Sequence, residues 1–254
     1  MEKAPASSTP PPLTIVNADG AAPFVLVCEH ASNYMPARYR RLGLPEQELS
    51  RHIAWDIGAA ELTRQLATRL DAVAFLAGAS RLLVDCNRPL DSPSLIPEIS
   101  EIPIPGNRNI GSAEKRERVR TWFEPLHTAI ARLLDERKAR RQPAAVIGVH
   151  SFTPVLAGVR RPMNAGVLFG DSSAFGRAVL SDLRQETHLT LAENAPYKID
   201  NDDWTIPHHA DSRGLPGLLL EIRHDGLESA GDVKRWADSV SRALSAGWRA
   251  IAAG

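Results

Sequence analysis

Two histidines, His30 and His150, each follow a short apolar run directly, in "FVLVCEH" and "AVIGVH". Imidazoles at the ends of two buried strands, with carboxylates close by, suit a catalytic zinc that takes three protein ligands and leaves one position open. The third ligand has two candidates. Asp56, in "HIAWDIGAAEL", stands at the start of a helical pattern, where Asp also serves as an N-cap. Glu29 adjoins His30, although strand neighbours point to opposite faces. Glu221 interrupts the apolar run "GLLLEI". A lone carboxylate there is costly unless paired, and partial burial raises its pKa toward the range of a general base. The bland alternative for Glu221 is an internal ion pair with Arg223 or Arg213.

Arg81, Asp85, Asn87 and Arg88 cluster in "SRLLVDCNRPL". An arginine just past a strand is suited to bidentate recognition of a carboxylate, or else to a salt bridge with Asp85 or Asp91. The polar stretch 194–214 adds Tyr197, Asp202, Asp203, His208, His209 and Arg213. It reads as a mobile loop over the site, with Tyr197 and Arg213 as candidate substrate contacts. The adjacent histidines could hold a second metal, but a supporting contact behind the ligands is the better use of His209. No Gly-rich phosphate loop, nucleotide fingerprint or Gly-x-Ser-x-Gly elbow occurs.

The elements that must position these residues are legible as apolar runs at 24–28, 72–77, 82–86, 145–149, 165–169 and 217–222. They are continuous rather than alternating, which fits strands covered on both faces. Helical periodicity appears over 57–70, 114–137, 173–186 and 230–251, with Pro125 expected to kink or split the second of these. Helices interleaved with buried strands predict an α/β three-layer sandwich with a mixed, mainly parallel sheet. Four of the runs (24–28, 82–86, 145–149, 217–222) deliver polar residues at their C-terminal ends, where open α/β sheets place ligands.

Composition narrows the functional classes. Of 254 residues, 30 are basic and 30 acidic, so no bulk charge draws the chain to nucleic acid or anionic membrane. No apolar stretch is long enough to span a bilayer and no signal peptide is visible, so a cytoplasmic location is expected. Cys28 and Cys86 lie in apolar runs and read as small hydrophobes. The Pro- and Ser-rich start predicts a flexible tail over 1–15, followed by one domain over 16–254. The Pro-rich stretch 88–111 is expected to pass over the mouth of a site. Nothing in the sequence speaks to oligomeric state.

In order along the chain, "EHASNYMP", "AWDIGA", "SRLLVDCNRP", "GVHSF" and "GLPGLLLEIR" resemble the N-formylglutamate amidohydrolase family. The resemblance spans about residues 22–250. It implies a fold similar to the zinc carboxypeptidases and aspartoacylase-like enzymes, one zinc per chain, and a small N-acyl amino acid as substrate. N-formyl-L-glutamate would be hydrolysed to formate and glutamate. By the same resemblance His30, Asp56 and His150 match the metal-binding positions and Glu221 the catalytic glutamate. Asn87 with Arg88 looks like the pair that holds a substrate carboxylate, and Arg81 like an arginine that helps polarise the scissile carbonyl. The first motif departs from the usual Pro-His-Ser-Gly, reading Glu-His-Ala-Ser. Asn33 stands where carboxypeptidase-like enzymes place a glutamate. Two alternatives share much of this pattern: a zinc amidase for another N-acyl amino acid or peptide, and a metal-free binding protein of the same fold.

Overall fold

The computed structural model describes residues 10–170 and 173–252. Its strands are β1 (Leu13–Val16), β2 (Phe24–Cys28), β3 (Val73–Ala77), β4 (Ala145–Phe152), β5 (Val155–Leu156), β6 (Val159–Arg160), β7 (Ala165–Leu168), β8 (Leu191–Glu193) and β9 (Gly217–Arg223). Seven of them form one sheet in the order β1-β3-β2-β4-β9-β7-β8, and β5 with β6 makes a separate small hairpin. The central strands β3, β2, β4 and β9 run parallel. Antiparallel pairing joins β1 to β3 and β7 to β9, so the sheet is mixed and mainly parallel, as expected.

The helices are α1 (Ala59–Leu70), α2 (Ser112–Arg118), α3 (Glu124–Ala139), α4 (Ser173–Leu183) and α5 (Ala230–Ala252). Alternation along the strands sorts the core into two layers. Leu26, Cys28, Ile147, Val149, Leu218 and Leu220 face the layer that also contains Leu62 and Leu66 of α1, Val179 of α4 and Val240 of α5. Val25, Val27, Val146 and Leu219 face Trp122, Phe123 and the α3 residues Leu126, Ile130 and Leu134. Pro125 enters the first turn of α3 after a π-helical turn over Val119–Phe123, which is the break that its ring imposes.

Two expectations are corrected. The tail predicted through residue 15 overlaps β1, because Leu13–Val16 add to the edge of the sheet through β3; residues 1–9 lie outside the described residues. The apolar run 82–86 is not a strand. Leu82, Leu83, Val84 and Cys86 are buried, but their backbone turns. Leu83 N–H donates to Ser80 O, Asp85 N–H to Leu95 O and Arg88 N–H to Asp85 O. Continuous hydrophobicity reports burial on all sides, which a coiled segment satisfies once its amides find such acceptors.

One close approach ties the sheet to the site. A Cβ on Gly148 of β4 would lie 2.1 Å from Leu219 Cδ2 and 3.3 Å from His150 Nε2. Gly148→Ala is therefore expected to destabilise the protein by about 1–3 kcal/mol, as overpacking does. A thermal melt that matches wild type would show that Leu219 moves aside without cost.

Candidate active site

Three neighbouring parallel strands carry the centre of the site. On β4 and β9, His150 and Glu221 are register partners, so their side chains project from the same face side by side. Strand β2 ends at Cys28, and Glu29 and His30 occupy the turn that follows. That turn removes the strict strand alternation, and both residues reach the same centre from it.

Asp56 is the hub. Its Oδ2 lies 2.9 Å from His150 Nδ1 and 3.4 Å from His30 Nδ1, and accepts the Ser151 backbone N–H at 3.3 Å. Its Oδ1 is 3.4 Å from Arg81 Nη1. Helix α1 begins only at Ala59 behind Gly58, so Asp56 is not its N-cap. His30, Asp56 and His150 are all buried and offer ligand-type atoms within 4.8 Å of one another. The far nitrogen of each imidazole meets another carboxylate: His30 Nε2 is 2.7 Å from Asp85 Oδ1, and His150 Nε2 is 3.2 Å from Glu29 Oε2. Carboxylates behind histidines are how metal-ligating imidazoles are fixed in tautomer and orientation. Glu29 lies against His150, but its two oxygens and His150 Nε2 make no hydrogen bond among the described residues.

The electrostatics follow from burial and from these contacts. For Asp56, burial is outweighed by His30 and His150, and its pKa falls far below the usual carboxylate range. For Glu29, burial is likewise outweighed by His150, and its pKa falls to about 2. Glu29 and Asp85 hold His150 and His30 above their ordinary values, against burial in both cases. Glu221 goes the other way. Burial dominates and lifts it to about 7, and Glu221 Oε2 has no hydrogen-bond partner among the described residues. A half-ionised carboxylate at neutral pH, with a free oxygen facing the site, can take a proton and return it.

A cavity of about 440 Å³ opens over these groups, lined among others by His30, Asp56, Arg81, His150 and Glu221. Ser94, Pro97, Ile99, Ser100 and Glu101 bring the 88–111 excursion to its wall, and Tyr197, Lys198, Asp200, Asp202 and Asp203 bring the 194–214 loop. Arg81 binds Asp85 Oδ2 through Nε and Nη2, at 3.0 and 2.7 Å, which braces the carboxylate behind His30. Tyr197 OH accepts from Arg161 Nη1 at 2.9 Å.

Arg213 is not brought to the cavity. It donates to His208 O at 2.9 Å and pairs with Asp135 of α3 at 3.6 Å, because the 3₁₀ turn Asp211–Arg213 packs against that helix. Among the described residues, His208 and His209 join no cluster of metal-ligating groups, and His209 packs on His127 instead. His208 stacks on Trp204, and His209 Nε2 lies 2.9 Å from His127 Nδ1. Cys86 O can only accept, so His127 Nε2 carries a proton and donates to it at 2.7 Å. His127 Nδ1 then accepts from His209. Burial keeps both imidazoles neutral, lowering His127 to about 4. His127 sits on the buried stripe of α3, where only its polarity among apolar neighbours could have drawn notice.

Buried histidines and carboxylates gathered at the carboxyl ends of parallel strands stand where open α/β sheets place their ligand and active sites. The chain belongs to the N-formylglutamate amidohydrolase family, whose sequence profile matches residues 22–227. Among solved structures it is similar to the gene product Atu2144 from Agrobacterium tumefaciens, with 33% identity and a TM-score of 0.92, over 97% of this chain and 98% of that one. It shares the fold of N-formylglutamate amidohydrolase from Ralstonia eutropha JMP134, with 18% identity and a TM-score of 0.72, over 96% of this chain and 99% of that one. No curated protein sequence matches it. Family membership supports hydrolysis of an amide bond in a small molecule. No helix among the described residues is long and apolar enough to cross a membrane.

Proposed function

We propose that the protein is a zinc-dependent amidohydrolase that removes a formyl or other small acyl group from the nitrogen of an amino acid. N-formyl-L-glutamate, yielding formate and glutamate, is the substrate for which its family is named. The observation that carries the reading is the juxtaposition of the His30–Asp56–His150 cluster with Glu221, whose carboxyl titrates near 7. Two imidazoles and one carboxylate are a donor set that zinc takes when one position stays open for chemistry. A zinc ion held there would supply Lewis acidity, making water a nucleophile near neutral pH and polarising the scissile carbonyl.

The remaining work falls to the chain's own groups. Glu221 accepts the proton of the attacking water and delivers it to the departing nitrogen. Asp85 fixes the His30 imidazole from behind, Glu29 lends its charge to His150, and Arg81 holds Asp85 while its guanidinium faces the cavity. The wall of the cavity orients the rest of the substrate. Metal analysis by mass spectrometry on protein purified without added metal is expected to find about one zinc per chain. His150→Ala should lose it, and with it formate release from N-formyl amino acids. Wild-type protein that takes up no zinc even after soaking would overturn the metal reading.

A second reading, hydrolysis of an N-acyl amino acid other than glutamate, is favoured by one specific observation. The Asn87 amide is already engaged at both ends by the 203–205 loop.

A further inference from the structure

Each arginine in the cavity wall is already matched to carboxylates of the protein itself. Arg81 is taken by Asp85 and, at 3.4 Å, by Asp56. Arg88 Nη1 donates to Asp202 O at 2.7 Å and lies 3.5 Å from Asp203 Oδ1, while its Nε is 3.6 Å from Asp202 Oδ2. Asn87 Nδ2 donates to the same Asp203 Oδ1 at 3.0 Å. A single carboxylate oxygen of the chain thus receives both the amide and the guanidinium of the pair to which the family resemblance gives the substrate carboxylate.

The loop that supplies this carboxylate is tied down independently. Asp203 Oδ2 accepts the Asp200 N–H at 3.0 Å. Asn87 Oδ1 accepts the N–H groups of Trp204 and Thr205 at 3.2 and 2.9 Å. Ser92 and Ser94 hold Asp202 through its two oxygens, the latter at 2.6 Å. Among the lysines and arginines of the wall, Lys198 remains once Arg81 and Arg88 are matched.

We propose that Asp203 and Asp202 occupy from within the carboxylate-binding donors of Asn87 and Arg88, so that this enzyme selects N-acyl amino acids bearing one carboxylate and a neutral or basic side chain over N-formylglutamate. The inference rests on the amidohydrolase reading of the same cavity. A substrate with two carboxylates has Lys198 for one of them. The other must approach Arg88 against Asp202 and Asp203, or displace Asp203 and leave a half-buried carboxylate without its donors. A side-chain amide or cation meets no such conflict, because Asp200, Asp202 and Asp203 give the same wall acidic character.

The test compares kcat/KM for the N-formyl derivatives of glutamate, glutamine and arginine, by formate release from the zinc-loaded full chain. Glutamine or arginine derivatives are expected to exceed glutamate by at least about tenfold, which corresponds to about 1.4 kcal/mol. Asp203→Asn is expected to shift the glutamate-to-glutamine ratio at least about tenfold toward glutamate, chiefly through KM. A wild-type preference for N-formylglutamate overturns the proposal and leaves the amidohydrolase reading standing. Formate from none of the three overturns that reading instead. Calorimetric binding of the free amino acids then still decides the inference: glutamate binding more tightly than glutamine and arginine sinks it, and weaker glutamate binding sustains it.

Discussion

Replacing Glu221 by Gln is expected to abolish turnover while leaving zinc in place and making the metal-free protein more stable at alkaline pH. Loss of a general base typically costs about 10²–10⁴-fold in rate. On the proposed zinc reading the metal is expected to stay, because His30, Asp56 and His150 come from other segments and keep their contacts. The gain in stability comes from burial. In the folded chain Glu221 holds its proton up to about 7, against an ordinary 4.5. Between those values the folded state binds more protons than the unfolded state, so stability falls as pH rises from about 4.5 to about 7. Above 7 the whole penalty is present, on the order of 3 kcal/mol. Gln has nearly the same volume and never ionises, so Glu221→Gln should regain part of that amount at pH 8 and none at pH 4. Urea denaturation with a chelator at the two pH values measures it. Equal stabilities at pH 8 would mean that Glu221 bears no burial penalty, and undiminished formate release would remove it from catalysis. The kcat/KM of wild type should decline on acidification once Glu221 is protonated, since a protonated Glu221 accepts nothing.

The residues at this centre were readable where an abrupt change of chemistry ends an apolar run. His30, His150 and Glu221 each interrupt hydrophobic continuity, and only burial in a sheet makes such an interruption costly enough to need a purpose. The common face of His150 and Glu221 follows from strand parity: Gly217 to Glu221 on β9 match Val146 to His150 on β4, position by position. The same rule could not place Glu29, because it fails one residue past the end of β2. Asp85 was visible as an arginine's partner, yet its second oxygen role, behind His30, depends on a turn bringing residue 85 next to residue 30. Arg213 shows the opposite error. It lies among site-forming residues in sequence, but a 3₁₀ turn and Asp135 draw it to the outside of α3. Parallel strands can be inferred from composition and spacing. Long irregular segments are fixed by side chains that satisfy their backbone, and that pairing leaves no periodic trace.

Arg118 is a side chain of this kind, and Arg118→Met is expected to cost about 2–6 kcal/mol of stability, as leaving two buried acceptors without donors does. Arg118 is only 1% exposed at the end of α2. Its Nη1 donates to Leu83 O at 3.1 Å and to Asn107 Oδ1 at 2.7 Å, Nε reaches Glu114 Oε1 at 3.1 Å, and the guanidinium lies 4.8 Å from the centre of the Tyr39 ring. Asn107 in turn donates to Leu82 O and Pro97 O, both at 2.8 Å. One guanidinium thus closes the segment 82–107 on itself, and that segment carries Asp85, Asn87 and Arg88 to the cavity. Methionine fills much of the volume but leaves Leu83 O and Asn107 Oδ1 buried without donors. Arg118→Lys should recover only part of the loss, since an ammonium cannot reproduce the planar fork. The residues proposed to hold zinc lie on other segments, so metal should still bind while KM rises. A urea midpoint for Arg118→Met equal to that of wild type would show that the loop is held by its apolar residues Leu83, Leu95 and Ile104 alone, and that the arginine merely occupies the space they leave.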